Sequence, residues 1–197
     1  CGLDFRAGPT FSRDGDQNTR EFVGHEVMLH SYTPAEFSEM LKLSLQIFAE
    51  QGVPRPQWFR AGGWMLDPEF LPILRQWNFL ADSSMASPEA LNGSSWQDEP
   101  LQKYLQILWG ECDSYSQPFC DQGLWRVPNN FGAIDYWQNP PVEAALHLAS
   151  AENPWVVVTL HQETAAEHIP KLDEFMESLQ FLKTIKLMSS FLESSWS

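Results

Sequence analysis

The sequence has 197 residues, 43% of them hydrophobic and 19% charged, a balance typical of one globular domain with an apolar core. Twenty-six Asp and Glu against twelve Lys and Arg give a formal net charge of −14, which argues against nucleic acids and anionic membranes because both are bound by concentrated Lys and Arg. No stretch reaches the roughly 18 uninterrupted apolar residues of a membrane-spanning helix.

Strand-like and helix-like segments alternate along the first half of the chain. Residues 1–22 are predicted to form an irregular start. Thr33 or Ser31 is predicted to cap a helix that begins at Pro34 and ends near Glu50, because its apolar residues recur at helical spacing. The other predicted elements here are strands at Glu26–His30, Gln57–Ala61 and Phe79–Ser83 and a helix that begins at Pro68. Such alternation favours an α/β fold with a parallel sheet or barrel.

The second half of the chain begins with residues 86–130, which are rich in Ser, Asn, Gly and Pro and are predicted to be irregular. A helix is predicted from Pro141 to about Ala151. Trp155–His161 is apolar and β-branched, which predicts a buried strand. A final amphipathic helix is predicted around Leu172 and Leu179. One domain over residues 1–186 and a frayed tail over 187–197 follow from this pattern.

Four polar residues each end a predicted strand: His30, Arg60, Asp82 and His161. The carboxyl ends of parallel strands are where barrel enzymes place their catalytic residues, so these four are predicted to converge on one concave face. Taken singly, each has a structural alternative as a core histidine, an ion-pair member or a turn cap. His161 needs a partner for its ring nitrogen, and Asp82 is the predicted one.

Cysteines and tryptophans supply further candidates. Cys112 and Cys120 are either bridged or two free thiols, and a bridge would favour an extracytoplasmic location. Cys1 would begin either a lipidated mature protein or, as the lack of a tether favours, a truncated sequence. Among the nine Trp residues, Trp64 and Trp125 are predicted to stack on sugar rings, whose CH faces pack on indoles.

Four strings of residues resemble motifs of the polysaccharide deacetylase superfamily, in the family's order from about Val23 to Leu182. GHEVMLHS is similar to the strand that carries a metal-binding His, and WFRAGGW to the motif that carries an Arg. FLADSS resembles the strand with the His-orienting Asp, and VVVTLH resembles the last motif with its catalytic His.

This resemblance implies a distorted (β/α) barrel of about seven strands, here lacking its first strand–helix unit. It implies metal-dependent removal of N- or O-acetyl groups from an acetylated glycan, with zinc or another divalent ion polarising the acetyl carbonyl. His161 would be the catalytic acid and Asp82 would orient it. Arg60 would position the base, and His30 would bind the metal.

The metal site departs from the family pattern. The second metal-binding His is replaced by Tyr32, Thr33 and Pro34, and no Asp-bearing first motif is present. His25 is a weaker substitute, since on a strand it does not share the position of His30. Two alternatives to the deacetylase stay open: an inactive relative that binds glycan or a partner protein, and a glycoside hydrolase that uses Asp82 with Glu163 or Asp135. The sequence leaves the oligomeric state open, and its charge suits a neutral or cationic polymer, although solubility alone also accounts for it.

Overall fold

The computed structural model describes Leu29 and residues 32–88, 99–148 and 155–179. The predictions for the irregular start at 1–22, the cap Ser31 and the tail 187–197 lie outside the described residues, as does the strand Glu26–His30 apart from Leu29. The domain boundary at residue 186 also lies outside them. The described chain has a mixed α/β fold.

Helix α1 spans Pro34–Glu50, as its sequence pattern predicted. Thr33 is the N-cap: its hydroxyl accepts a hydrogen bond from the backbone N–H of Glu36, and its backbone N–H donates to the carboxylate of Glu36 at 2.8 Å. This reciprocal pair is a capping box, which provides acceptors for the backbone N–H groups of Thr33 and Glu36 at the helix start. The apolar face buries Phe37, Leu41 and Leu45.

Four short strands form one open sheet: β1 at Trp58–Phe59, β2 at Ala81–Asp82, β3 at Phe119–Asp121 and β4 at Leu124–Arg126. Their order is β1-β2-β4-β3. β1 and β2 are parallel, β2 and β4 are parallel, and β3 and β4 form an antiparallel hairpin. Phe59 pairs with Asp82, and Asp82 pairs with Arg126, in the parallel register.

The predicted barrel of about seven strands was wrong, because the sheet in the described residues is open and ends in an antiparallel strand. The segment Trp155–His161, predicted as a buried strand, contributes a single parallel bridge between Thr159 and Ala133. Side-chain acceptors replace the backbone acceptors that a longer strand pairing would provide. For example, Oδ1 of Asn130 accepts a hydrogen bond from the N–H of Val157 at 2.9 Å. Backbone groups satisfied in this way need no strand partner.

Four more α-helices lie in the described segments: α2 at Leu71–Gln76, α3 at Glu99–Trp109, α4 at Val142–Leu148 and α5 at Ala165–Ser178. Short 3₁₀ turns occur at Gly62–Trp64, Pro68–Phe70 and Ile134–Tyr136. The helix predicted at Pro68 is present as the second of these turns followed by α2. The irregular segment predicted at 86–130 was wrong, since α3 and the β3–β4 hairpin lie within it.

The apolar side chains pack in separate clusters. The largest surrounds α1, α2 and the turn at Pro68–Phe70, with Phe37 and Phe70 at its centre. A second cluster joins α5 to residues 131–137 through Phe175, whose ring lies 5.0 Å from that of Trp137. Ile134 belongs to this second cluster, which therefore anchors the 3₁₀ turn Ile134–Tyr136 in the fold. No helix within the described residues is both long and apolar enough to cross a membrane.

Candidate functional site

His161 and Asp135 form a close pair in the described part of the chain. Nδ1 of His161 lies 2.6 Å from Oδ2 of Asp135. The His161 side chain is 41% exposed, whereas that of Asp135 is 10% exposed. The other carboxylate oxygen, Oδ1 of Asp135, is buried without a hydrogen-bond partner among the described residues. A solvent-accessible imidazole is thus held by a carboxylate that faces the protein interior.

Backbone pairing brings these two side chains together. Thr159 donates its N–H to the carbonyl of Gly132 at 3.0 Å, and the N–H of Ile134 donates to the carbonyl of Thr159 at 2.9 Å. Asp135 follows Ile134 in the 3₁₀ turn, and His161 lies two residues after Thr159. The register of one short parallel contact therefore sets the distance between the imidazole and the carboxylate.

The proton arrangement of the pair follows from the chemistry of an ionised carboxylate. An ionised carboxylate can only accept a hydrogen bond, so Nδ1 of His161 is the donor and carries the ring proton. In the neutral imidazole Nε2 then has a free lone pair, and in the imidazolium it has a transferable proton. This arrangement equips His161 for general acid–base chemistry at the surface.

Asp82, the predicted partner of His161, has other partners. It is fully buried, and its Oδ1 accepts hydrogen bonds from the N–H and the hydroxyl of Ser84 at 3.1 and 2.5 Å. Its Oδ2 accepts from Nε of Arg126 at 3.0 Å. The predicted Asp82–His161 hydrogen bond was therefore wrong, and Asp135 occupies the place expected of Asp82.

Arg126 was missed in the sequence analysis. The residue is 5% exposed, its guanidinium lies 5.4 Å from the ring centroid of Trp109, and it neutralises Asp82 across the β2–β4 register. Burial raises the pKa of Asp82, against the lowering that Ser84 and the charge of Arg126 produce. Arg126 lies within residues 86–130, which were predicted to be irregular, and its local sequence does not indicate burial. Its position in the interior depends on the strand register, which places it opposite Asp82.

Arg60 follows β1 directly and lies beside the end of β2. Its Nε donates to the carbonyl of Ser83 at 3.0 Å and its Nη2 to the hydroxyl of Ser83 at 2.8 Å. Arg60 and Asp82 thus lie at the same end of two paired strands, as predicted for parallel neighbours. Their assignment as catalytic residues stays a prediction.

The two predicted sugar-stacking residues are not open platforms. Trp64 is 5% exposed and packs in the main core, and its carbonyl accepts a hydrogen bond from Nε1 of Trp109 at 2.8 Å. Trp125 is half-buried in β4, against the small cluster of Ala81 and Val127. Trp64 is nevertheless linked to the His161 region, because its ring makes an edge contact with Tyr136 at 6.4 Å.

The candidate metal ligands lie outside the described residues, whereas both candidate disulfide cysteines lie within them. His30 and His25, predicted to bind metal, lie outside the described residues. Among residues 32–88, 99–148 and 155–179, no group of three or more His, Cys, Asp or Glu side chains is arranged to hold a metal ion. Cys112 is a buried free thiol and Cys120 is an exposed free thiol, which is the second of the two alternatives that the sequence left open.

In comparisons with protein-family models, curated proteins and solved structures, nothing matches this chain.

Proposed function

We propose that the chain is a hydrolase that removes acetyl groups from a glycan, with His161 as its proton-transfer residue. The observation that carries this proposal is the Asp135–His161 pair, in which a 2.6 Å hydrogen bond holds a 41% exposed imidazole. The resemblance of VVVTLH to the last motif of the polysaccharide deacetylases supports the same role for His161. The net charge of −14 suits a neutral or cationic glycan better than an anionic one.

Deacetylation requires a proton donor next to the sugar nitrogen or oxygen that leaves the acetyl group. Water adds to the acetyl carbonyl, the bond to the sugar nitrogen or oxygen breaks, and the leaving atom takes a proton from Nε2 of His161. Acetate leaves with the oxygen of the water, and the proton lost by that water restores the imidazolium. Asp135 stabilises the imidazolium through Nδ1 and holds the ring in one tautomer. Proton transfer of this kind contributes on the order of 10²- to 10⁴-fold in rate.

A divalent metal, which the family resemblance implies, would polarise the carbonyl in addition. The described residues do not fit such an ion, because they contain no suitable group of three ligands. The role assigned to His161 includes no step through a metal, because Asp135 holds the imidazole. The role of Arg60 as a positioning residue remains part of the same proposal.

Acetate release from acetylated chitooligosaccharides and from acetylated xylan tests the proposal, with and without added zinc. His161→Ala is expected to lower the rate by about 10²- to 10⁴-fold. His147→Ala is the matched control, because His147 is an exposed histidine on α4 whose ring contacts Tyr115. Equal rates in the His161→Ala variant and the wild type would contradict the role of His161. Glycan binding without acetate release would favour the inactive glycan-binding relative instead.

A further inference from the structure

Tyr136 lies next to the candidate catalytic imidazole, in a tilted ring contact. The ring centroids of Tyr136 and His161 are 5.5 Å apart, with an angle of 51° between the ring planes. Tyr136 also makes an edge contact with the ring of Trp64, at 6.4 Å and 68°. Tyr136 is half-buried and Trp64 is buried, so these ring contacts connect the core to the partly exposed His161.

The same turn presents both neighbours of His161. Asp135 and Tyr136 are adjacent in the 3₁₀ turn Ile134–Tyr136, which is closed by a hydrogen bond from the N–H of Tyr136 to the carbonyl of Ala133 at 3.0 Å. The parallel bridge of Ala133 with Thr159 ties this turn to the segment that ends in His161. One hydrogen-bonded turn therefore supplies both a carboxylate and an aromatic ring next to the imidazole.

A single hydrogen bond fixes one atom of an imidazole but leaves the plane of the ring free to turn about that bond. We propose that Tyr136 is a positioning residue, which holds the plane of His161 so that Nδ1 stays on Asp135 while Nε2 faces solvent. Aromatic contacts of this geometry bias a conformational equilibrium by about two- to tenfold. The consequence for catalysis rests on the proposed function, whereas the consequence for the free protein does not.

Nitrogen NMR of the whole chain, labelled with ¹⁵N-histidine, tests the position of the ring without any substrate. The His161 signals are identified by their loss in His161→Gln. In the neutral imidazole, the wild type is expected to give two well-separated nitrogen shifts for His161, one protonated and one unprotonated. Tyr136→Leu is expected to move both shifts toward their average, because the ring samples other orientations and tautomers. Tyr136→Phe keeps the aromatic face and is expected to keep the separation.

Tyr115→Leu is the matched control, because it removes a tyrosine ring that lies 5.2 Å from the ring of a different histidine, His147. It is expected to leave the His161 signals unchanged. A His161 separation that survives Tyr136→Leu would overturn the proposal. So would an equal loss in Tyr136→Phe and Tyr136→Leu, since the hydroxyl and not the ring face would then be responsible.

The kinetic arm uses the same variants on an acetylated glycan. Tyr136→Leu is expected to lower kcat by about two- to tenfold with KM changed by less than about twofold, since a misplaced proton donor weakens the transition state and not substrate binding. Tyr136→Phe is expected to restore most of kcat, and thermal unfolding checks that each variant is folded. A rise in KM with unchanged kcat would overturn the proposal. If no variant releases acetate, the deacetylase function fails while the NMR result still decides the role of Tyr136.

Discussion

The carboxylate of Asp135 and the imidazole of His161 meet at 2.6 Å although the two residues are 26 positions apart in the chain. Their meeting depends on the parallel contact between Ala133 and Thr159, which carries both residues to the same edge of the fold. Asp135 is nearly buried and His161 is partly exposed, so the pair combines a fixed side with an accessible side. This asymmetry leaves the imidazole accessible to a reactant while the carboxylate stays in place.

Asp135→Asn should abolish most of the activity while the fold is retained. An Asn can present its amide N–H₂ to Nδ1, which favours the tautomer with the proton on Nε2 and no longer stabilises the imidazolium. We expect kcat for acetate release to fall by about 10²- to 10⁴-fold. Asp173→Asn, which changes an exposed carboxylate on α5, is the control. A kcat within twofold of the wild type in Asp135→Asn would refute the assignment.

Arg126→Met should lower stability, because Asp82 is then buried without its cationic partner. The side chain of Arg126 is 6% exposed and that of Asp82 is 0% exposed. Removing one partner of a buried ion pair lowers the free energy of unfolding by about 3–5 kcal/mol. Urea unfolding measures the loss. The double variant Asp82→Asn/Arg126→Met should lose less than the sum of the two single variants, because the two side chains interact directly. Simple additivity would contradict the importance of this pair.

The stability difference between the wild type and Asp82→Asn should depend on pH. Burial raises the pKa of Asp82 in the folded protein, against Ser84 and Arg126. A raised folded-state pKa means that the contribution of Asp82 is fully present below its unfolded pKa of about 3.9 and is lost as pH rises through the folded pKa. Urea unfolding at a series of pH values should therefore show that the free energy of unfolding of the wild type falls relative to that of Asp82→Asn as the pH rises. A difference that grows with pH would mean that Arg126 outweighs burial.

Cys120 should react with thiol reagents long before Cys112. Burial raises the pKa of the Cys112 thiol to about 11, so that about one thiol in a thousand is ionised at pH 8. Cys120 is exposed on β3. Alkylation followed by peptide mass spectrometry should show Cys120 labelled at least about 100-fold faster than Cys112 in the folded protein. The two rates should approach each other in guanidinium, and equal rates in the native protein would contradict the burial of Cys112.

The local sequence determined the first helix and the position of two strands. Thr33, Pro34 and Glu36 act on backbone groups within one turn, so the beginning of α1 could be predicted from sequence. The predicted strands Gln57–Ala61 and Phe79–Ser83 contain the observed β1 and β2, and Arg60 and Asp82 lie at the same end of this parallel pair. These features depend on neighbours close in sequence or on the alternation of elements.

The tertiary structure decided which side chains meet, and the sequence did not. Asp82 and Asp135 are both carboxylates that follow apolar residues, and nothing in their local pattern distinguishes a partner of Arg126 from a partner of His161. The choice follows from strand register: Asp82 lies opposite Arg126, whereas residues 133 and 159 pair and bring Asp135 to His161. Register is set by the packing of the whole domain, because a shift of one residue would turn each side chain to the opposite face.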